Sequence, residues 1–279
     1  MEITCWGSRG SISVSGKDYL KYGGDTTCIE IRTESNDTII VDAGTGIRRV
    51  GNRLLKEGRF RYDLIFTHGH WDHLMGFPFF KPLYNRRTKI RMHRCRFHGE
   101  PVESMLSKVM APPNFPIPYA DLKAEMSYED VCPGTFDIGS VSVTPIPISH
   151  PNNGSGYKFS ENGRSFVFLT DNELGYIHPG GETSQTYEEF SADADLLIHD
   201  AEFTPEEYRS NKKWGHSAYT EAVDLALASR AKQLGLFHLN QDRSDGEMDE
   251  IVENCRQRIA EKGQTFPCFG VATDMTFSL

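Results

Sequence analysis

Short apolar runs, each ending in a polar or glycine-rich turn, alternate along the chain with segments of helical periodicity. Runs rich in β-branched and aromatic residues predict strands, and apolar residues three and four positions apart predict amphipathic helices. The predicted strands are Glu2–Trp6, Cys28–Arg32, Thr38–Val41, Tyr62–Phe66, Lys89–Met92, Val141–Ile148, a hairpin from Gly156 to Leu169, Ala194–Ile198, Leu234–Phe237 and one near Thr276. The predicted helices are Ile47–Lys56, Pro101–Met110, Pro205–Asn211, Ser217–Ala231 and Glu247–Glu261. This alternation is typical of an α/β protein.

Polar residues follow several of these strands directly. The residues at or just after a predicted strand end are His68, His150, Asp171, Asp200 and His238. α/β proteins usually place functional groups at such ends, because the loops there can vary while the strands hold them in place. We therefore expect these side chains to collect along one edge of the sheets.

The segment behind Leu64-Ile-Phe66 reads His68-Gly-His-Trp-Asp-His73 and places four potential metal ligands in six positions. On a turning segment His68 and His70 lie on the same side and can reach one ion. Asp72 and His73 follow the chain into a helix and face a second ion. A run of surface histidines is the alternative, but a solvated turn has no need of three imidazoles and a carboxylate between apolar flanks. The segment therefore predicts a loop that serves two metals.

Three residues further along the chain would complete the two metal sites. His150 adds a third imidazole to His68 and His70, Asp171 is a natural bridging carboxylate, and His238 would finish the second site. The alternatives are a structural histidine at position 150 and an ordinary turn aspartate at position 171, where Asp-Asn pairs are common.

His216 lies in Trp214-Gly-His-Ser217, just before a predicted helix. It would act as a general acid, oriented by Asp200, or would form hydrogen bonds near the helix N-terminus. The residues alone leave both interpretations open. The histidines predicted to lie on the surface or behind the site are His93, His98 and His178, with His199 hydrogen-bonded at a sheet end.

The 279 residues contain no linker, repeat or low-complexity tract, so a single domain over residues 1–279 is predicted. The N-terminus lacks a signal-peptide pattern, and no apolar run reaches the roughly 18 residues of a membrane span. We therefore expect a soluble, cytoplasmic protein with no membrane partner. Six cysteines without a CxxC pair are predicted to be reduced thiols.

The net charge of −9 argues against extended nucleic-acid binding, which depends on cations that neutralise phosphates. A local exception is the basic segment Lys81–His98, which contains seven Lys or Arg residues and no acid. This segment would attract a phosphate near the histidine loop, or it would form a solvated basic strand and loop. The sequence favours neither.

The order of the candidate ligands, from His68-Gly-His-Trp-Asp-His73 to His238, resembles that of the metallo-β-lactamase superfamily. The opening strands and Asp42-Ala-Gly-Thr-Gly46 are similar as well. The resemblance implies a four-layer αββα fold, with two mixed sheets between helices and two divalent metal ions at one sheet edge, zinc in preference to manganese or iron. The ligands that it implies are His68, His70 and His150 for one ion and Asp72, His73 and His238 for the other, with Asp171 bridging them.

Within the superfamily, the chain is most similar to the tRNase Z and phosphodiesterase branch. That branch has an acidic residue at the end of a late strand and a His-Ser-Thr motif, which correspond to Asp200 and His216-Ser217. Here Ala218 replaces the threonine, Asp200 replaces the usual glutamate, and no glycine- and proline-rich tRNA-gripping arm is visible. The resemblance therefore favours the cyclic-nucleotide phosphodiesterases, many of which are homodimers.

The resemblance implies hydrolysis of a cyclic nucleotide or similar small phosphodiester by a hydroxide that bridges the metals. The predicted catalytic residues are Asp72, His216 and Asp200, with His216 protonating the departing ribose oxygen. Asp42 is a candidate hydrogen-bond acceptor behind a ligand histidine. The alternatives are a thioester or lactone hydrolase of the same fold, a tRNA 3′-processing nuclease and an inactive metal-bound scaffold.

Overall fold

The computed structural model describes residues 1–94 and 100–279. Its strands, in chain order, are β1 (Glu2–Gly7), β2 (Cys28–Arg32), β3 (Thr38–Val41), β4 (Arg61–Ile65), β5 (Lys89–Arg94), β6 (Glu125–Asp130), β7 (Phe136–Ile138), β8 (Val141–Pro147), β9 (Ser155–Glu161), β10 (Arg164–Leu169), β11 (Leu196–Asp200), β12 (Leu234–Phe237), β13 (Cys268–Gly270) and β14 (Thr276–Ser278). Its α-helices are α1 (Ile47–Lys56), α2 (Trp71–Leu74), α3 (Val102–Val109), α4 (Ser184–Phe190), α5 (Pro205–Asn211), α6 (Tyr219–Ala228) and α7 (Asp245–Glu261).

The strands form two mixed sheets, each with seven strands among the described residues. The first has the order β14-β1-β2-β3-β4-β5-β6, and the second has the order β13-β12-β11-β10-β9-β8-β7. Strands β3 to β6 run parallel in the first sheet, and β10 to β13 run parallel in the second. Since parallel strands end at the same edge of a sheet, β4, β10, β11 and β12 deliver the residues that follow them to a common place.

The main core lies between the two sheets. Ile31 and Val41 of the first sheet belong to the same buried cluster as Phe159, Phe166 and Phe168 of the second. Within the second sheet, the rings of Phe159 and Phe166 stack across β9 and β10 with their centroids 5.6 Å apart. The packing of this shared cluster between the layers holds the two sheets, and therefore their strand ends, in a fixed relation.

Helices cover the outer faces of both sheets. α1 buries Ile47, Val50 and Leu54, which recur at helical spacing, as predicted. On the other side, α6 and α7 pack on the second sheet in a separate cluster with residues such as Val167 and Leu197. The four-layer α/β architecture predicted from the sequence is confirmed. None of the helices in the described part of the chain has the length and apolar character that a bilayer span requires.

Four observed elements, β6, β7, α4 and β13, were not predicted from the sequence, and their surroundings explain why. β6 (Glu125–Asp130) is an exposed edge strand of mostly polar residues, so no apolar run marks it. α4 is a short helix whose signal is the Thr183 cap, which accepts a hydrogen bond from the Thr186 N–H at 3.2 Å. Short or edge elements leave little periodicity to detect.

The structure corrects several smaller predictions. Cys132 is disulfide-bonded, although all six cysteines were expected to be reduced; the free cysteines among the described residues are buried. Of the two positions predicted for His93 and His178, on the surface or behind the site, their burial excludes the surface. Each ring donates a hydrogen bond to a carboxylate, His93 to Asp63 at 2.7 Å and His178 to Glu173 at 2.8 Å. Cys95, Arg96 and His98 lie outside the described residues.

Two cations of the basic segment are paired with acids. Lys89 Nζ lies 2.7 Å from a Glu125 oxygen, and Arg91 Nε lies 2.5 Å from Asp63 Oδ1. Lys89 is at the first residue of β5, at the opposite end of that strand from the edge where the candidate ligands collect. These contacts favour the solvated-strand interpretation for these two residues.

The loop Asp42–Gly46 packs against the histidine loop, which we define as His68–Gly76. The Ala43 N–H donates to the His73 carbonyl at 2.8 Å, and the Gly76 N–H donates to the Ala43 carbonyl at 2.8 Å. A Cβ atom at Gly76 would lie 2.0 Å from the Gly44 oxygen, so the two backbones can approach only because this residue is glycine. The two loops therefore behave as one unit at the sheet edge.

A buried carboxylate joins three strands at the opposite edge. Asp195 accepts hydrogen bonds from Arg164 Nη1 at 2.8 Å, from the Ser165 N–H at 2.9 Å and from Lys232 Nζ at 2.9 Å. Burial would raise the pKa of Asp195, but Lys232 and the other two donors hold that pKa at about 2.

We expect Asp195→Asn to lower the free energy of unfolding at pH 7 by about 2 kcal/mol, because folding moves this pKa down from an ordinary value near 3.9. A carboxylate whose pKa is lowered by folding stabilises the fold at pH values above its ordinary pKa. This stabilisation is lost as the pH falls through about 2. The difference between the proteins, measured by urea unfolding, should therefore shrink between about pH 4 and pH 2. Asp193→Asn, at an exposed carboxylate, should change stability less. A difference that is independent of pH would contradict this role for Asp195.

Candidate metal centre

Seven imidazole and carboxylate side chains meet at the common edge of the two sheets. The residues are His68, His70, Asp72, His73, His150, Asp171 and His238, and all were predicted from the sequence. Their ligand atoms fall into two groups, His68, His70 and His150 in one and Asp72, His73, Asp171 and His238 in the other, and within each group the ligand atoms lie within 4.8 Å of one another. Most of these residues are buried, so their polar atoms are concentrated in a small volume that has little contact with solvent.

The first group consists of three imidazoles. His70 Nδ1 lies 3.0 Å from His150 Nε2, and the His68 ring lies 4.6 Å and 4.7 Å, between centroids, from the rings of His70 and His150. Burial lowers the pKa of all three imidazoles, and so does the proximity of other histidines. They are therefore neutral at pH 7, which is the form that binds metals.

The second group brings two carboxylates to two imidazoles. His73 Nε2 lies 3.3 Å from Asp72 Oδ2 and 3.2 Å from Asp171 Oδ2. His238 Nε2 lies 3.2 Å from Asp72 Oδ2 and 3.1 Å from Asp171 Oδ1. Asp171 Oδ1 is also 3.6 Å from His68 Nε2, so this carboxylate lies between the two groups, as a bridging residue must.

The charges in the second group favour a cation. Burial opposes ionisation of Asp72 and Asp171, yet neighbouring imidazoles hold the pKa of both carboxyls well below the usual range. Burial would likewise lower the pKa of His73 and His238, but these carboxylates raise both. A divalent cation would supply the same positive charge and displace the protons.

Among the described residues, three buried ring nitrogens of the candidate ligand histidines lack a hydrogen bond of good geometry: the Nε2 atoms of His68 and His73 and the Nδ1 atom of His238. Buried polar atoms without a partner are rare in folded proteins and are commonly explained by a ligand or an ion. Imidazole nitrogen and carboxylate oxygen are also the donors that zinc accepts. The residues present therefore fit a pair of divalent metal ions.

Groups behind the histidines fix the orientation of their rings. His73 Nδ1 donates to Asp42 Oδ2 at 2.7 Å, which is the contact anticipated from the sequence. Asp42 also accepts from the Thr67 N–H and hydroxyl, both at 2.7 Å. His150 Nδ1 donates to the Gly215 carbonyl at 2.8 Å. Such outer contacts turn the other ring nitrogen toward a bound metal and raise its basicity.

Two outer contacts were missed by the sequence analysis. The side-chain amide of Asn152 lies 3.2 Å from His70 Nε2, and Glu202 Oε2 lies 3.0 Å from His238 Nδ1. The sequence did contain a signal for Glu202, because this acidic residue comes two positions after Asp200, just beyond a strand end. Asn152 has no comparable signal, because its place depends on a left-handed turn with φ of 67°.

His216 lies against both groups of the centre. Its Nδ1 donates to Asp200 Oδ2 at 2.7 Å, as predicted for an oriented imidazole, and its Nε2 lies 3.4 Å from Glu202 Oε2. Its ring stacks on that of His238 at 4.3 Å between centroids and lies 5.2 Å from that of His150. Burial would lower the pKa of His216, but Glu202 and Asp200 raise it to about 8. The imidazole therefore carries a proton at pH 7.

A buried carboxylate holds the segment before His216. Glu173 accepts hydrogen bonds from the Lys213 N–H at 2.8 Å, the Gly215 N–H at 2.9 Å and the Tyr208 hydroxyl at 2.8 Å. Gly215 has a φ of +95° and packs against the His150 ring, where a Cβ atom would lie 2.1 Å from Nδ1. The sequence analysis did not identify Glu173, whose partners come from distant parts of the chain.

The family model described as a Beta-lactamase superfamily domain matches residues 37–239. Ribonuclease Z of Haloarcula marismortui is 25% identical, and the match covers 92% of this chain and 91% of that protein. Ribonuclease BN of Erwinia tasmaniensis is 24% identical, with coverage of 86% and 92%.

Solved structures share the fold. A diphosphatase from the PhnP family has a TM-score of 0.68 with 18% identity, covering 100% of this chain and 97% of that chain. The short form of human tRNase Z has a TM-score of 0.63 with 20% identity, covering 100% and 99%. The metallo-β-lactamase fold protein YhfI from Bacillus subtilis has a TM-score of 0.68 with 14% identity, covering 99% and 98%.

We expect Asp42→Asn to weaken metal binding by about 10- to 100-fold, because the His73 ring loses its anionic acceptor. A chelator-competition titration followed by elemental analysis measures this change. The matched control is Asp63→Asn, which removes a carboxylate from a different buried histidine, His93, at 2.7 Å. Equal losses in the two variants, or wild-type affinity in Asp42→Asn, would contradict the role assigned to Asp42.

Proposed function

Because the chain belongs to the metallo-β-lactamase superfamily and is a metal-dependent hydrolase, we propose that it cleaves small phosphodiesters, with cyclic nucleotides as preferred substrates. The proposal includes a single domain, a cytoplasmic location and a homodimer, as predicted from the sequence. The observation that carries it is the position of His216, whose ring lies beside both metal groups and is held by Asp200.

The ligand types support zinc. His68, His70 and His150 would hold one ion and Asp72, His73 and His238 would hold the other, with Asp171 available to both sets. Neutral imidazoles with a few carboxylates suit zinc better than they suit oxygen-preferring cations. Two such ions, when bound, supply Lewis-acid activation of water and of the phosphoryl oxygens.

The chain itself supplies the proton for the leaving group. Cleavage of a cyclic nucleotide releases a ribose oxygen, which is a poor leaving group unless it is protonated. His216 carries a proton at neutral pH, and Asp200 fixes its ring through Nδ1, so the proton on Nε2 is the one available for transfer. Glu202, 3.4 Å from Nε2, stabilises the imidazolium before that transfer. Asp72 and Asp171 retain the charge that orients the reacting groups.

A second candidate substrate is an RNA phosphodiester, which the ribonuclease relatives support. The net charge of −9 weighs against it, because binding to RNA depends on neutralising many phosphates. Ala218 and Asp200 also depart from the tRNase Z pattern. Thioester hydrolysis gives little role to a proton donor at His216, because a thiolate leaves without being protonated.

A substrate panel tests the proposed function. We expect the zinc-loaded protein to hydrolyse cyclic mononucleotides and bis-p-nitrophenyl phosphate with kcat/KM about 100-fold above that for thioesters and lactones. Precursor tRNA with a 3′ trailer tests the second candidate. Asp171→Asn, prepared in the same way, is the control for contaminating enzymes. Preference for a thioester, a lactone or the precursor tRNA would reject the proposed substrate class.

We expect His216→Ala to lower kcat for a cyclic nucleotide by about 100-fold or more, because its leaving oxygen needs a proton. The loss should be much smaller for bis-p-nitrophenyl phosphate, which releases a stable phenolate. Steady-state kinetics at equal metal content measures both values. Equal losses on the two substrates would mean that His216 supports the site without donating the proton.

A further inference from the structure

Two adjoining cavities extend from the metal centre across helix α3. The first has a volume of about 290 Å³ and includes His68 and His70 in its wall. The second has a similar volume of about 290 Å³ and includes Trp71 and Val109. The residues that line both cavities are Gly69, Glu100 and Met105. The two cavities therefore form one continuous depression, which we call the α3 groove.

A glycine keeps the two parts of the α3 groove connected. A Cβ atom at Gly69 would lie 2.6 Å from Met105 Sδ, so Met105 rests directly against the backbone between His68 and His70. A thioether is polarizable and adapts to flat ring surfaces. The junction therefore places a soft apolar surface beside the candidate ligands of the first metal ion.

Trp71 is unusual within its own loop. It is 62% exposed, whereas Asp72 and His73, which follow it, are buried. Its ring lines the groove together with Leu74 and Val109, so an aromatic face stands opposite open space next to the metal centre. Large exposed aromatic rings beside a reaction site commonly bind flat partners, and tryptophan stacks well on nucleobases.

The polar groups of the α3 groove are nearly neutral as a set. Lys108 Nζ lies 2.6 Å from Glu100 Oε2, so these opposite charges are paired. Asn114 adds an amide to the wall. An acyl chain in this groove would cover these polar groups without offering hydrogen bonds, which costs free energy. A nucleobase combines an apolar face with hydrogen-bonding groups on its edge and so matches both kinds of wall.

We propose that the α3 groove binds a nucleobase of the substrate, stacked on Trp71, while the adjacent phosphodiester occupies the metal centre. This inference rests on the proposed function, since it names the part of the substrate that lies beside the scissile group. It assigns Trp71 to substrate selection, a role separate from that of the ligands on either side of it.

Equilibrium binding measurements test this inference independently of turnover. The metal-loaded protein is titrated calorimetrically with adenosine 5′-monophosphate and with ribose 5-phosphate, which lacks the base. We expect Trp71→Ala to weaken binding of the nucleotide about 10-fold and to leave binding of the sugar phosphate unchanged. Trp71→Phe should retain most of the affinity. Metal content is measured for each variant.

Trp214→Ala is the matched control, because Trp214 is 66% exposed and close to His216 but is not among the described residues that line the groove. It should bind the nucleotide as the wild type does. Equal losses for the two ligands, equal losses in the Trp71 and Trp214 variants, or Trp71-dependent binding of an acyl thioester in place of the nucleotide would overturn the inference. Trp71-dependent nucleotide binding without phosphodiester turnover would support the groove and reject the proposed function.

Discussion

Two carboxylates buried among imidazoles set the conditions for the rest of this structure. Asp72 and Asp171 both approach the Nε2 atoms of His73 and His238, although burial penalises every charged form involved. Mutual attraction overcomes that penalty and keeps both carboxyls ionised. Such a group is costly to build unless a cation completes it. The fold therefore has to hold together strand ends whose charged side chains would be better solvated in water.

The backbone at the centre is also strained. Asp42, Asp171 and His238 have φ values of 64°, 53° and 55°, in the left-handed region that non-glycine residues seldom occupy. Each comes directly or almost directly after a strand, so the chain turns sharply and aims the side chain at the centre. Left-handed residues of this kind cost of order 1–3 kcal/mol each. The two packed sheets supply the rigidity that keeps these residues in place.

The buried charges and the left-handed residues explain which features of the fold and the site could be predicted from the sequence and which could not. Helix α1 and the hairpin of β2 and β3 depend on local periodicity, and the sequence predicted their bounds. The seven candidate ligands were identifiable because imidazole and carboxylate groups are unusual directly behind apolar strands. Glu202 and Glu173 were missed because their partners are distant in the chain and meet only after the sheets have packed. The left-handed turns were not predicted either, since aspartate and histidine are enriched in that conformation but adopt it in only a minority of cases.

The candidate metal ligands and the residues that would select a substrate lie on different parts of the fold. The candidate ligands lie at strand ends that the interlayer core makes rigid, so the same constellation can persist while the surrounding loops change. Trp71 lies on such a loop, and a change there would alter what reaches the centre without altering the ligands. A match to ribonucleases therefore says little about the molecule that this chain acts on. Under the proposed function, the residues that face the open side of the centre select the substrate, and His216 and the α3 groove lie there.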